Sequence, residues 1–173
     1  YPPRWGGMGS VVFHLAGHLA QRGHKVTVIT RKHKSMPPTQ PGVEVIPVRW
    51  TPLPMAFTRS FGKNALKALI KLNRRRSIDV VNAHLPLVSW TKSQFKFIEK
   101  NIASVVSTLN GSWVGEKEGV RRAAMNRETA TWRNPNDLAI RLTSWWYKRY
   151  ERNGILESTC SVAISRSTLE EFH

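Results

Sequence analysis

The run Ile78-Asp-Val-Val-Asn-Ala-His84 is a short apolar stretch that ends on an imidazole. Such a ring titrates near neutrality, so it can donate to a hydroxyl or meet a developing negative charge. The same placement also suits a histidine that only hydrogen-bonds the following loop. After the next apolar run, Ser104 to Leu109, come Asn110, Gly111, Ser112 and Trp113. Two neutral hydrogen-bonding side chains around a glycine suit sugar hydroxyls, and equally suit a plain turn. Near the start, Gly6, Gly7 and Gly9 precede Ser10 and a segment of helical periodicity. Glycines let backbone N–H groups converge with no Cβ in the way, and a helix start adds positive field, which together make a phosphate cradle. The spacing is neither G-x-G-x-x-G nor G-K-[ST], and a tight strand-to-helix turn uses the same glycines.

Other residue sets carry less chemistry. His14 and His18 stand one helical turn apart, but the adjacent glutamate of an H-E-x-x-H pattern and a third ligand are missing, so no metal site is expected. Glu116 and Glu118 fall in what reads as a flexible polar loop, which gives no burial to separate two carboxyl pKa values. Ser165 has no G-x-S-x-G elbow around it, and a hydrolase triad is unsupported. The single Cys160 excludes a disulfide framework and a multi-cysteine zinc site.

Charge is the largest compositional signal. Lys plus Arg number 27 against 11 Asp plus Glu, a formal net charge of +16, which predicts attraction to polyanions or an anionic surface. Lys63, Lys67 and Lys71 recur every four residues and form one stripe along a helix. Trp145, Trp146, Tyr147 and Tyr150 sit among Arg141, Lys148 and Arg149, so 139–152 is amphipathic in the manner of interfacial helices. Trp145, Trp146, Lys148 and Arg149 are the candidate membrane or acceptor surface. Aromatic residues beside cations also stack on nucleobases, but no known RNA- or DNA-binding module accompanies them, and no nucleic acid partner is expected. No apolar run reaches the length of about 18 residues that a spanning helix needs. The expected location is the cytoplasm, with peripheral contact at the inner face of the plasma membrane.

The elements that must position these residues follow from periodicity. A helix is expected over Ser10 to Arg22, capped by Ser10 and stopped by Gly23. Strands are expected at Lys25 to Thr30, at Val43 to Val48 with Pro47 favouring an edge, at Ile78 to His84, at Ser104 to Leu109, and at Ser161 to Ser165. Helical pieces are expected at about Asn64 to Arg76, from Pro86 to about Lys100, at Glu118 to Trp132, at Asn136 to Arg152, and from Arg166. This alternation predicts an α/β fold with a parallel sheet and helices on both faces, and residues 113–153 as a helical insertion. The first helix lacks the strand that a βαβ layout places before it, so 1–173 reads as a domain without its first strand, truncated at both ends.

The order of these motifs resembles the amino-terminal, Rossmann-like domain of GT-B retaining glycosyltransferases, the family 4-like group. The likeness runs through Pro2-Pro3 with Gly6-Gly7-Met8-Gly9, Arg22-Gly23-His24, Asp79-Val-Val-Asn-Ala-His84, Thr108-Leu-Asn-Gly111 and Val162-Ala-Ile-Ser165. The resemblance implies transfer of a hexose from a nucleoside-diphosphate sugar to an acceptor hydroxyl, in cell-envelope polysaccharide or glycolipid synthesis, without a cofactor or metal. It implies an acceptor-side domain facing a second Rossmann-like domain that holds the donor's nucleotide and supplies an acidic motif, so these residues alone are expected to be inactive. By position, Gly6, Gly7 and Gly9 match the loop near the donor diphosphate, and His84 the histidine that reaches the transferred sugar. Asn82 and Asn110 stand where histidines are common in that group, and Asn110 leaves hydrogen bonding with Gly111 rather than acid–base work at that rim. Arg166 replaces a common acidic residue. The competing readings are a nucleic-acid or polyanion binding domain and a GT-B sugar-nucleotide epimerase.

Overall fold

The computed structural model describes residues 7–35, 38, 40–128 and 133–172. Helix α1 (Gly7–Gln21) leads into strands β1 (Val26–Arg31) and β2 (Val43–Val48), then helix α2 (Ala56–Arg75). Strand β3 (Val80–Leu85), helix α3 (Lys92–Asn101) and strand β4 (Ser104–Leu109) follow. Helices α4 (Trp113–Met125) and α5 (Pro135–Leu156) precede β5 (Cys160–Ala163) and α6 (Arg166–Glu170).

Every strand pair is parallel, and helices lie on both faces, as the alternation predicts. The strands form two sheets instead of one: β1 pairs with β2 from Val26↔Val43 to Arg31↔Val48, and β4 lies between β3 and β5. Pro47 sits on β2, whose described partner is β1 alone, where a missing N–H costs no ladder bond. β4 is the innermost strand, with Val105 and Ser107 fully buried. One apolar cluster joins the two sheets: Phe61, Ala65 and Leu69 of α2 meet Val48 of β2, Ala83 of β3, Val105 of β4 and Phe95 of α3. These α2 positions recur every four residues, so the same period that makes Lys63, Lys67 and Lys71 an exposed stripe makes the adjacent face core.

Several boundaries differ from the periodicity reading for local reasons. α1 includes Gly7 and Gly9 in its first turn, so Ser10 is inside the helix and does not cap it. Its end is as expected: Gly23 takes φ 87°, with bonds from the His24 N–H to the Leu19 carbonyl and from the Gly23 N–H to that of Ala20. α2 begins eight residues before Asn64, because Ala56 to Lys63 carry Phe61 and the buried Thr58 onto its core face. α3 starts at Lys92 and not at Pro86, because Thr91 and Gln94 close a capping box there. Ser112 caps α4 by accepting the Gly115 N–H at 2.8 Å, which turns the loop expected at 113–117 into helix. The α4 and α5 pair is packed into the domain through a second cluster of Met55, Trp113, Ile140, Tyr147 and Tyr150.

α5 passes close to β3 at Gly154. A Cβ there would lie 2.5 Å from Leu85 Cδ1 and 3.3 Å from Phe95 Cζ, both on fully buried side chains. Gly154→Ala is therefore expected to destabilise the fold by about 1–3 kcal/mol in urea denaturation. Unchanged stability would contradict the packing of α5 on β3.

Candidate active site

β3 and β4 end in register, His84 beside Thr108 and Leu85 beside Leu109. The chain then turns at Asn110, whose backbone N–H donates to the Leu85 carbonyl at 3.1 Å. This ties the two strand ends together and sets His84 and Asn110 side by side. The amide Nδ2 of Asn110 reaches the Thr108 carbonyl at 3.1 Å, the Leu85 carbonyl at 3.3 Å and His84 Nδ1 at 3.3 Å. Two backbone carbonyls can only accept, so the amide nitrogen faces them and Oδ1 points elsewhere.

Two consequences follow for chemistry. First, His84 Nδ1 faces the amide nitrogen, which shares its two hydrogens among this ring and the two carbonyls, so the ring proton is assigned to Nε2, where the imidazole presents a donor. Burial pushes the ring down from 6.5 to about 4, which leaves it neutral at physiological pH. Second, Asn110 Oδ1 is buried without a hydrogen-bond partner. A buried acceptor left unpaired costs about 1–3 kcal/mol, a cost removed when a ligand hydroxyl or amide donates to it. The strand ends thus hold a neutral imidazole beside a buried, unpaired amide oxygen, with open space at neighbouring Gly111, where an added Cβ would meet nothing within 4 Å.

The neighbouring polar groups serve the scaffold. Asn82 Oδ1 accepts the Thr108 hydroxyl at 2.7 Å, which pins β3 to β4. The Ser112 hydroxyl donates to Glu171 Oε2 at 2.5 Å. Glu116 and Glu118 lie on α4 and not on a flexible loop; Glu118 pairs with Arg121 and Arg122, whose hydrogen bonds hold it down at about 2. Gly7 and Gly9 lie in the first turn of α1, while Gly6 lies outside the described residues. No hydrogen bond links either described glycine to His84 among the described residues. Trp145 and Trp146 are 67% and 40% exposed on the outer face of α5. Arg149 lies 3.3 Å above the Trp146 ring, and Lys148 beside it is exposed. His14 and His18 are exposed on α1, and no cluster of three or more metal-ligating side chains occurs among the described residues.

One group escaped the sequence reading. Glu151 of α5 is 3% exposed, and its Oε1 accepts the Trp113 N–H at 2.7 Å. Burial pushes this carboxyl up to about 8, so it is protonated at neutral pH. Its helical phase was the available signal: Tyr147, Tyr150 and Gly154 lie three or four residues away or next to it, and all are core.

A domain of parallel strands flanked by helices on both faces is Rossmann-like, and His84 and Asn110 stand at adjacent strand ends of it. The model of Glycosyltransferase Family 4 matches residues 5–173, and the chain belongs to that family. No curated protein gives a significant match to the chain.

Proposed function

We propose that the chain is the acceptor-side domain of a transferase that moves a hexose from a nucleoside-diphosphate sugar to an acceptor hydroxyl with retention, in cell-envelope polysaccharide or glycolipid synthesis. A second Rossmann-like domain facing this one holds the donor's nucleotide. The observation that carries the reading is the buried, unpartnered Asn110 Oδ1 beside His84. A sugar hydroxyl donating to this acceptor would satisfy it, and a sugar ring also carries an acceptor for the neighbouring imidazole. His84 Nε2–H orients the transferred sugar and Asn110 accepts from a neighbouring hydroxyl, with no proton exchanged by either. Backbone N–H groups at Gly6, Gly7 and Gly9 stabilise charge building on the leaving diphosphate. The epimerase alternative needs a titrating base at this rim, and a neutral histidine beside an asparagine does not supply one.

The test is to assay the full-length protein against a panel of nucleotide-sugars, recording the anomeric configuration of the product. Transfer with retention supports the reading. Interconversion of the nucleotide-sugars without transfer would favour the epimerase.

The outer face of α5 supplies the place of reaction in this proposal. Leu142, Trp145, Trp146 and Arg149 share one helical face, with Leu142 three and four residues before the two tryptophans and Arg149 four and three after them, and all are exposed. An apolar stripe flanked by cations rests on an anionic membrane surface and brings a lipid-linked acceptor within reach. Replacing Trp145 and Trp146 together by serine preserves the charge and should weaken flotation with anionic vesicles by about tenfold. An unchanged flotation profile would remove the membrane face. Steeply salt-sensitive RNA binding, unaffected by nucleotide-sugar, would favour the polyanion alternative.

A further inference from the structure

A groove of about 520 Å³ opens between α2 and the segment that follows β3. One wall carries Arg59 and Lys63, and the other carries Ser89, Thr91 and Ser93. The two cations stand four residues apart on one helix, an arrangement that costs a few tenths of a kcal/mol in like-charge repulsion. Nothing offsets it locally: no carboxylate lines the groove, and neither cation is in an ion pair among the described residues. Arg59 is held in place from behind, its guanidinium 5.2 Å from the Tyr150 ring, which positions the charge without neutralising it.

The facing wall is equally fixed. Ser89 is 4% exposed and donates to Thr58 Oγ1 at 2.8 Å, and the Thr91 and Ser93 hydroxyls lie 3.0 Å apart at the mouth. The Gln94 N–H in the first turn of α3 is already taken by Thr91, and the groove is defined by side chains on both walls. Two uncompensated cations facing a polar wall match a tetrahedral oxyanion: guanidinium and ammonium meet the charge, and of the wall hydroxyls Ser93 at the mouth is the one left to donate, since Ser89 donates to Thr58 and Thr91 to Gln94 Oε1. The wall belongs to the chain that leaves β3 after Leu85, one residue beyond His84, so the groove lies on the strand-end side of that sheet.

We infer that this groove binds a phosphate group carried by the acceptor, so that the acceptor is a phosphate or diphosphate ester. The placement on the acceptor rests on the transferase reading above. The phosphate site itself does not, because it can be measured without any sugar transfer.

The experiment is calorimetric titration of the protein with inorganic pyrophosphate at about 0.15 M salt, where diffuse surface attraction is screened. Arg59→Gln with Lys63→Gln should weaken binding by about tenfold or more. Lys67→Gln with Lys71→Gln removes the same charge from the same helix, one and two turns along, and should leave binding within about twofold. Lys63→Gln alone keeps the Arg59 contact with Tyr150 and should still show part of the loss, which separates binding from folding. Equal losses in the two double variants, or no pyrophosphate binding by the unaltered protein, would overturn the site. Flotation with phosphatidic acid against phosphatidylcholine vesicles then tells the source of the phosphate. A loss confined to pyrophosphate means a soluble acceptor, and a loss in both means a lipid-borne one; each upholds the groove.

Discussion

His84→Ala is expected to lower turnover of the full-length protein by about 100-fold, the scale of losing one preorganised hydrogen-bond donor at a reacting group. The fold should survive. The ring is only half-buried, and Asn110 keeps its bonds to the Leu85 and Thr108 carbonyls when His84 is gone, so the strand ends stay joined. A stability loss beyond about 1.5 kcal/mol is not expected. The kinetic pattern distinguishes the proposed role from a merely structural one. A donor that orients the transferred sugar mainly in the transition state lowers kcat and kcat/KM together, with KM little changed. His84→Gln retains an N–H donor and should recover part of the rate. Because the ring is already neutral at about two pH units above its value of 4, the rate should show no dependence on this group between about pH 6 and 8. Unchanged turnover in the alanine variant would remove His84 from the site.

Glu151→Gln is expected to stabilise the protein, and by an amount that grows with pH. The unfolded chain releases this proton near 4.5 and the folded chain at about 8, so between those values the folded state holds more proton. Stability contributed by this group is therefore whole below about pH 4.5 and falls as pH rises through the window. At pH 8 the cost reaches the order of 4 kcal/mol, and glutamine avoids it while its amide oxygen still accepts the Trp113 N–H. Urea denaturation at pH 5 and at pH 8 measures the effect directly. Little gain should appear at the lower pH and a large one at the higher. Equal effects at both would mean that the carboxyl is not held neutral between α4 and α5.

How much of this was legible in the chain depends on the distance over which each feature is specified. Val43 to Val48 and Ser104 to Leu109 are β-branched runs between turn signals, and both strands fall at the residues expected. Gly23 stops α1 as expected, because an αL position is a local demand that glycine alone meets without strain. His84 and Asn110 were both legible as strand-end residues. Their mutual geometry was not, because it depends on which residue of β3 stands beside which residue of β4. The starts of α2, α3 and α4 were misplaced where a tertiary contact or a cap overrode periodicity, as Phe61 and Thr91 show. The division into two sheets was illegible for the same reason: hydrogen bonding between β1 and β3 is a long-range property that neither strand's pattern encodes. Glu151 hid because a lone carboxylate in a basic helix looks solvated, and only the helical phase of its aromatic neighbours reveals that it faces inward. The Arg59 and Lys63 groove needed the loop after β3 to fold back on α2, a contact made through the Trp90 Nε1–H bond to the Gly62 carbonyl at 2.7 Å.

The claim on which the site rests is that His84 is a ring kept neutral by burial, with its proton on Nε2 because Nδ1 faces the Asn110 amide nitrogen. Histidine-selective ¹⁵N NMR across a pH series reads both properties at once. The account predicts a bare Nδ1 and a protonated Nε2 from pH 8 down to about 5, with change only as the pH approaches the depressed value of about 4. A ring that titrates near 6.5, or one whose proton resides on Nδ1, would contradict it.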